Sequence, residues 1–234
     1  MNNSDFLQII KNSFLTCLKT SPRSNKKLKV LHGAISKYIN NRLNDNIYAV
    51  QSLGFGKGKE QKIQGQYYEK AVDITIQENG KNIAGIAVKF VMSNYSQNSN
   101  NYFENMLGET ANIRSKGIPY YQIFIIPDRV PYFNKDKKIT RWEQISKHNL
   151  NKYIKLSEDN IQTYSHVPNK TLVYIVNISG INDAINTRQE YCDYYLNNDF
   201  DVTPSNTNIE FGSSVIYNNL QSFAEYVIND IKNL

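Results

Sequence analysis

Asp73, Lys89, Glu104 and Glu109 are the residues of this chain whose types and spacing could do chemistry together. Asp73 sits in an apolar run, AVDITI, and Lys89 lies near the end of a second, AGIAVKF. A polar stretch then leads to a helical pattern carrying Glu104 and Glu109. Carboxylates hold Mg²⁺, a hard cation that prefers oxygen ligands. A lysine beside them can orient or help deprotonate a water and stabilise developing negative charge. Cleaving a phosphodiester needs both, because a water must be placed in line and charge neutralised on the phosphate and the leaving oxygen. One carboxylate is normally too few, so Asp73 needs a partner.

A hairpin must bring Asp73 and Lys89 together. In the first strand Val72, Ile74 and Ile76 share one face while Ala71, Asp73 and Thr75 share the other; in the second, Ala84, Ile86, Val88 and Phe90 oppose Gly85, Ala87 and Lys89. Each strand thus has an apolar face and a face with one ionisable group among small residues. The turn decides whether those faces coincide. A two-residue Asn79-Gly80 loop sets Asp73 opposite Ile86, away from Lys89. A three-residue Glu78-Asn79-Gly80 loop, with Gly80 left-handed as a bulge, sets Asp73 opposite Gly85 and beside Lys89. The catalytic reading expects the bulged turn.

This stretch resembles the PD-(D/E)xK nuclease superfamily, and type II restriction endonucleases in particular, where an Asp is followed on the next strand by acidic-x-Lys. The matching residues are Val72-Asp73 and Ala87-Val88-Lys89. Val72 replaces the motif's proline, and Ala87 stands where the second acid belongs. Either the acid has migrated to the following helix, or a Glu at position 87 has been replaced. Glu104, fifteen residues past Lys89, is the first candidate for a migrated acid, with Glu109 in reserve. The block SNYSQNSNNYFENMLGETANIR and the YYQIFIIPD after it also look like such enzymes, so the resemblance covers residues 65–130.

The resemblance implies an α/β (α+β) fold, a central mixed sheet flanked by helices with a restriction-endonuclease-like core. It implies one nuclease domain over residues 1–234, with a catalytic core at about 45–130 and a C-terminal part for dimerisation or DNA recognition. Asp73 and Glu104 would hold Mg²⁺ with the Val88 carbonyl, and Lys89 would position the attacking water. The implied activity is cleavage of double-stranded DNA at a short sequence by a homodimer, in the bacterial cytoplasm, within a restriction–modification system and without a small-molecule cofactor. Polar loops are where such proteins meet DNA, which nominates Lys57, Lys59, Ser93, Asn94, Tyr95, Gln97, Asn98 and Asn100. Two other readings stay open: a non-catalytic DNA-binding protein on the same fold, and an interaction protein whose polar loops bind a partner.

Composition agrees with a globular α/β chain. Of 234 residues, 40% are hydrophobic and 12% aromatic, too many for a disordered chain. The net charge of +6 is a mild excess that favours phosphate-bearing partners. Cys17 and Cys192 lack metal-binding spacing, and His32, His148 and His166 are scattered, so all three histidines read as non-catalytic. The first residues lack a signal-peptide pattern, and no apolar run is long enough to span a membrane.

Apolar periodicity predicts helices over residues 5–19, with Ser4 or Asp5 as cap and Ser21-Pro22 as stop, and over 26–43. Residues 47–76 read as strands around a basic loop whose GFGKG run lacks the Gly-Lys-Ser/Thr ending of a phosphate loop. Glu69 reads as a strand-edge charge. Then follow the hairpin at 71–90, a helix at 101–115 stopped by Gly117 and Pro119, and a buried strand at 120–126. Residues 127–138 read as a loop, and Thr140 with Glu143 as a capping box opening a short helix around Trp142. A strand at 172–178, a helix at 182–196, a polar loop at 197–208 and an amphipathic helix at 214–231 complete the pattern.

Overall fold

A computed structural model describes residues 1–20, 24–181 and 184–234. Its elements are α1 (Asn3–Lys19), α2 (Lys26–Leu43), β1 (Tyr48–Ser52), β2 (Gln61–Gln64), β3 (Glu69–Val72), β4 (Ile74–Glu78) and β5 (Lys81–Phe90). After these come α3 (Tyr95–Arg114), β6 (Tyr120–Pro127), β7 (Arg129–Phe133), β8 (Ile139–Gln144) and α4 (Lys147–Glu158). The chain ends with β9 (Lys170–Ile178), α5 (Arg188–Asn197), β10 (Val202–Pro204), β11 (Val215–Tyr217) and α6 (Leu220–Lys232). The fold is the mixed α/β arrangement expected: a central sheet in the order β1-β4-β5-β6-β9-β10, with β11 also on β9, and helices against it. β5, β6 and β9 run parallel, while β1, β4 and β10 join antiparallel. No helix among the described residues is long and apolar enough to cross a membrane.

The three parallel strands read as apolar runs because both their faces are covered. On one face Ile86, Ile123, Ile125, Leu172 and Tyr174 pack with Phe6 and Phe14 of α1, Leu31 and Ile35 of α2, and Phe223 and Val227 of α6. On the other, Phe124, Ile126, Val173 and Ile175 meet Tyr95 and Met106 of α3 and Leu150 and Tyr153 of α4. A smaller cluster joins Ile63, Val72, Ile113 and Tyr120. This third cluster ties the β2–β3 hairpin to the end of α3.

Several boundaries differ from expectation, each for a local reason. The cap of α1 is Asn2, whose side chain accepts from the Asp5 N–H at 2.8 Å while the Asp5 carboxylate accepts from the Asn2 N–H at 2.9 Å. The expected stop at Ser21-Pro22 lies outside the described residues, as does the start of the helix expected at 182–196. Residues 127–138 and the supposed capping box form instead the β7–β8 hairpin. Pro131 is tolerated there because a two-stranded sheet leaves one strand edge without ladder partners. Glu143 is a strand residue whose carboxylate accepts from Ser96 and Arg141. The helix opens later, where Asn149 accepts from the Ser146 N–H at 2.9 Å. The stretch 197–208 contains β10, and 214–231 begins as β11 before Asn219 caps α6.

Candidate active site

The β4–β5 turn is the two-residue Asn79-Gly80 form and not the bulged three-residue turn that the catalytic reading expected. Asn79 (φ 48°) and Gly80 (φ 79°) make a two-residue left-handed turn closing the Glu78↔Lys81 pair. The register then slips within the ladder: Gln77 pairs Asn82, but Ile76 pairs Ala84, leaving Ile83 as an extra residue. The bulge therefore lies in β5 rather than at Gly80. Its effect is the one the catalytic reading needed. Ile74 pairs Ile86, which sets Asp73 level with Ala87 and on the side of Lys89.

At Asp73 the first strand breaks. Val72 belongs to the cluster with Ile63 and Tyr120, whereas Ile74 and Ile76 face the opposite core, so the three do not share a face as expected. β3 pairs with β2 in a separate small sheet, and the end of β5 beyond Ile86 has no β4 residue paired with it. Asp73 fills that edge: its Oδ2 accepts from the Val88 N–H at 2.8 Å. Because the N–H and carbonyl of one strand residue point to the same edge, the Val88 carbonyl faces the edge that Asp73 fills.

Beside this break lies a cavity of about 430 Å³, lined among others by Asp73, Ala87, Lys89, Glu109, Gln122 and His32. Lys27 and Lys70 line it too. Glu109 reaches in from α3, pairs with Lys70 and accepts from the Tyr120 hydroxyl at 3.4 Å. The Lys89 Nζ stands 4.1 Å from the centre of the Tyr102 ring. Ala87 pairs with Gln122 across β5 and β6, and the Gln122 Nε2 is buried without a hydrogen-bond partner among the described residues. Gly85 keeps this wall thin, since a Cβ there would come within 2.9 Å of the Tyr120 ring.

Burial raises the Asp73 carboxyl to about 6; the Val88 N–H, Lys70 and Lys89 oppose that rise, and the Glu109 charge adds to it. Burial also lowers the Lys89 ammonium, helped by Lys27 and opposed by Asp73 and Glu109. Asp73 and Lys89 are each disfavoured as isolated charges and each favoured by the other. That is the environment of groups poised to exchange protons or to accept a cation.

Glu104 does not join them. It is exposed on α3 and does not line the cavity, whereas Tyr102, Asn105, Met106 and Glu109 all do, at the i, i+3, i+4, i+7 spacing of one helix face. The reserve acid, Glu109, is the one the fold delivers. Among the DNA-contact candidates, Tyr95 is buried and its hydroxyl donates to the Asn149 carbonyl at 3.1 Å, so it is a packing residue. α3 starts at Tyr95, six residues earlier than expected, because Asn94 (φ 50°) turns the chain left-handed into it. The Asn94 side chain brackets Phe133, accepting from its N–H at 3.1 Å and donating to its carbonyl at 2.8 Å. Gln97 and Asn98 bond back to Asn94, Asn100 accepts from Lys152, and Ser93 is partly buried. Lys57 and Lys59 are exposed on the β1–β2 loop. The glycine run there serves packing: a Cβ at Gly54 would lie 2.0 Å from the Lys29 carbonyl of α2. Glu69 is an edge charge paired with Lys62 at 2.8 Å.

No family model, curated protein or solved structure matches the chain.

Sequence reasoning set His32 aside, yet this residue is 1% exposed, lines the cavity and places Nδ1 4.0 Å from Asp73 Oδ1. Glu60, just before β2, completes a group with His32 and Asp73 whose ligand atoms all lie within 4.8 Å of one another. Lys70 and Gln122 were also missed. The only signal for Gln122 was a polar residue inside the otherwise apolar YYQIFII run. Nothing in the local pattern of α2 marks His32.

Proposed function

We propose that the chain is a Mg²⁺-dependent, sequence-specific endonuclease that hydrolyses phosphodiester bonds of double-stranded DNA within a restriction–modification system, acting as a homodimer. The observation that carries this reading is the convergence of Asp73, Glu109 and Lys89 on one cavity at the open edge of β5. The residues suit Mg²⁺: two carboxylates and a strand-edge carbonyl are hard oxygen donors, and burial has left the Asp73 carboxyl short of compensating positive charge. Asp73, Glu109 and the Val88 carbonyl would hold the ion, which when bound supplies Lewis-acid stabilisation of the phosphate and leaving oxygen. Lys89 orients the attacking water and stabilises the negative charge that develops in its attack. Gln122 offers a buried amide donor to a non-bridging phosphate oxygen. Lys27 and Lys70 add positive charge along the cavity, as a polyanionic substrate requires.

A second reading, a DNA-binding protein that does not cut, draws on two observations. Ala87 leaves the motif position without an acid, and Glu109 is already paired with Lys70. Incubating the chain with plasmid and Mg²⁺, with EDTA and the Asp73→Ala and Lys89→Ala variants as controls, separates the two. Cleavage that needs Mg²⁺ and both side chains supports the nuclease. Salt-sensitive DNA binding without cleavage supports the binder, and the absence of both rules out a DNA-directed role.

A further inference from the structure

Three elements far apart in sequence bring one imidazole and two carboxylates together: His32 from α2, Glu60 from the loop before β2, and Asp73 at the break between β3 and β4. One ligand atom from each lies within 4.8 Å of the others. The contact that holds α2 to this loop is close, since Gly33 and Gly54 meet with no room for a Cβ on either. His32 is 1% exposed, and neither of its ring nitrogens has a hydrogen-bond partner among the described residues. A buried imidazole ordinarily has its donor nitrogen bonded to a carboxylate or carbonyl. Here the nearest carboxylate oxygen, on Asp73, stands at 4.0 Å, too far for such a bond.

We infer that His32, Glu60 and Asp73 form a binding site for a divalent transition metal such as Mn²⁺, which accepts an imidazole beside carboxylates, distinct in composition from the Asp73–Glu109–Lys89 group. An ion between them would satisfy an orphaned imidazole nitrogen and neutralise two converging carboxylates at once. The mixed nitrogen and oxygen donors set its class, because imidazole suits first-row transition ions and adds little for Mg²⁺ or Ca²⁺, which take oxygen. Asp73 is common to both groups, so an ion here would also fix the carboxylate that faces Lys89. The inference shares Asp73 with the nuclease reading but needs neither DNA nor catalysis to be tested.

The test is Mn²⁺ titration of the EDTA-stripped full chain without DNA, following loss of the free-ion electron paramagnetic resonance signal. The wild-type chain, His32→Ala, Glu60→Gln and Glu109→Gln are compared, and pulsed spectroscopy of the bound ion reads nitrogen coupling. Expected are binding with a directly coordinated imidazole nitrogen, weakening of about tenfold or more in His32→Ala and Glu60→Gln, and little change in Glu109→Gln. Absence of Mn²⁺ binding, or bound Mn²⁺ without nitrogen coupling, overturns the inference. So does binding lost in Glu109→Gln and kept in His32→Ala; that outcome would place the ion with the nuclease group and support that reading. The nitrogen coupling of the wild-type chain decides the matter even if a variant fails to fold.

Discussion

His32 Nδ1 stands 4.0 Å from Asp73 Oδ1, too far to share a proton with it. Burial acts on the two in opposite directions. It raises the Asp73 carboxyl from 3.8 to about 6 and lowers the His32 imidazole from 6.5 to about 4. Near pH 5 the folded pair is neutral, with a proton on Asp73, whereas the unfolded chain carries the proton on His32 and a charge on each. Folding thus moves the proton between the residues without changing the number bound.

Opposite linkage slopes follow. The folded state binds more protons at Asp73, so the contribution of that residue to stability falls as pH rises from 3.8 through about 6. The folded state binds fewer at His32, so its contribution is lost as pH falls from 6.5 through about 4. Relative to wild type, Asp73→Asn should gain stability as pH rises across this window, and His32→Ala should gain it as pH falls. Each effect is a few kcal/mol at most, at about 1.4 kcal/mol for every tenfold change in proton affinity. Urea unfolding in EDTA at pH 4.5 and 7 checks this. Stability differences from wild type that do not depend on pH in either variant would refute it.

Which acid completes the site is decided by helix rotation. Glu109 shares a face of α3 with Tyr102, Asn105 and Met106, while Glu104 points to solvent. Under the nuclease reading, Glu109→Gln should lower plasmid cleavage by about 100-fold or more, and Glu104→Gln should leave the rate unchanged. Ala87→Glu should not raise it, because Glu109 already supplies the second carboxylate. A gain in activity from Ala87→Glu, with Glu109→Gln neutral, would instead make position 87 the seat of the missing acid.

The alternation along β5 was legible as a period-two signal, but whether Asp73 comes to the side of Lys89 depends on register, which a one-residue slip reverses. The slip itself was not legible. A bulge at Ile83 carries no glycine or other compositional mark, so the sequence pointed to Gly80. The buried strands β6 and β9 showed as apolar runs, yet β7 and β8 did not, since Pro131 and a capping-box pattern mimic loop and helix. Glu109 over Glu104 turned on where α3 begins, and the Asn- and Ser-rich start of that helix looks like loop. His32 stood beyond reach, because only the packing of α2 against the loop at Gly54 brings it to Asp73.

Gly85 sets the depth of the cavity wall. A Cβ there would lie 2.9 Å from the Tyr120 ring and 3.0 Å from the Val72 side chain. Tyr120 is buried and donates to Glu109, so it has little room to retreat. Gly85→Val should cost about 1–3 kcal/mol through overpacking, read as a lower urea midpoint with an unchanged slope. An unaltered midpoint would mean that Tyr120 moves freely.

Asn112 ties the β2–β3 hairpin to α3 and so sets the position of the strand that ends at Asp73. It is 2% exposed; its Oδ1 accepts from the Tyr67 N–H at 2.9 Å, and its Nδ2 donates to the Tyr68 carbonyl at 3.0 Å. Its own carbonyl accepts from the Gln66 N–H at 2.7 Å. Removing the side chain leaves the Tyr67 N–H without its partner, while the Tyr68 carbonyl keeps the Gly65 N–H, at a cost of about 1 kcal/mol. That cost falls locally, on the loop bearing the exposed Tyr67 and Tyr68. Asn112→Ala should therefore speed chymotryptic cleavage at these tyrosines and amide exchange at residues 65–68, well before global unfolding. Because Lys70 and Asp73 continue directly from this hairpin, plasmid cleavage should fall as well. Unchanged proteolysis would show that the Val72–Tyr120 contacts alone hold β3 in place.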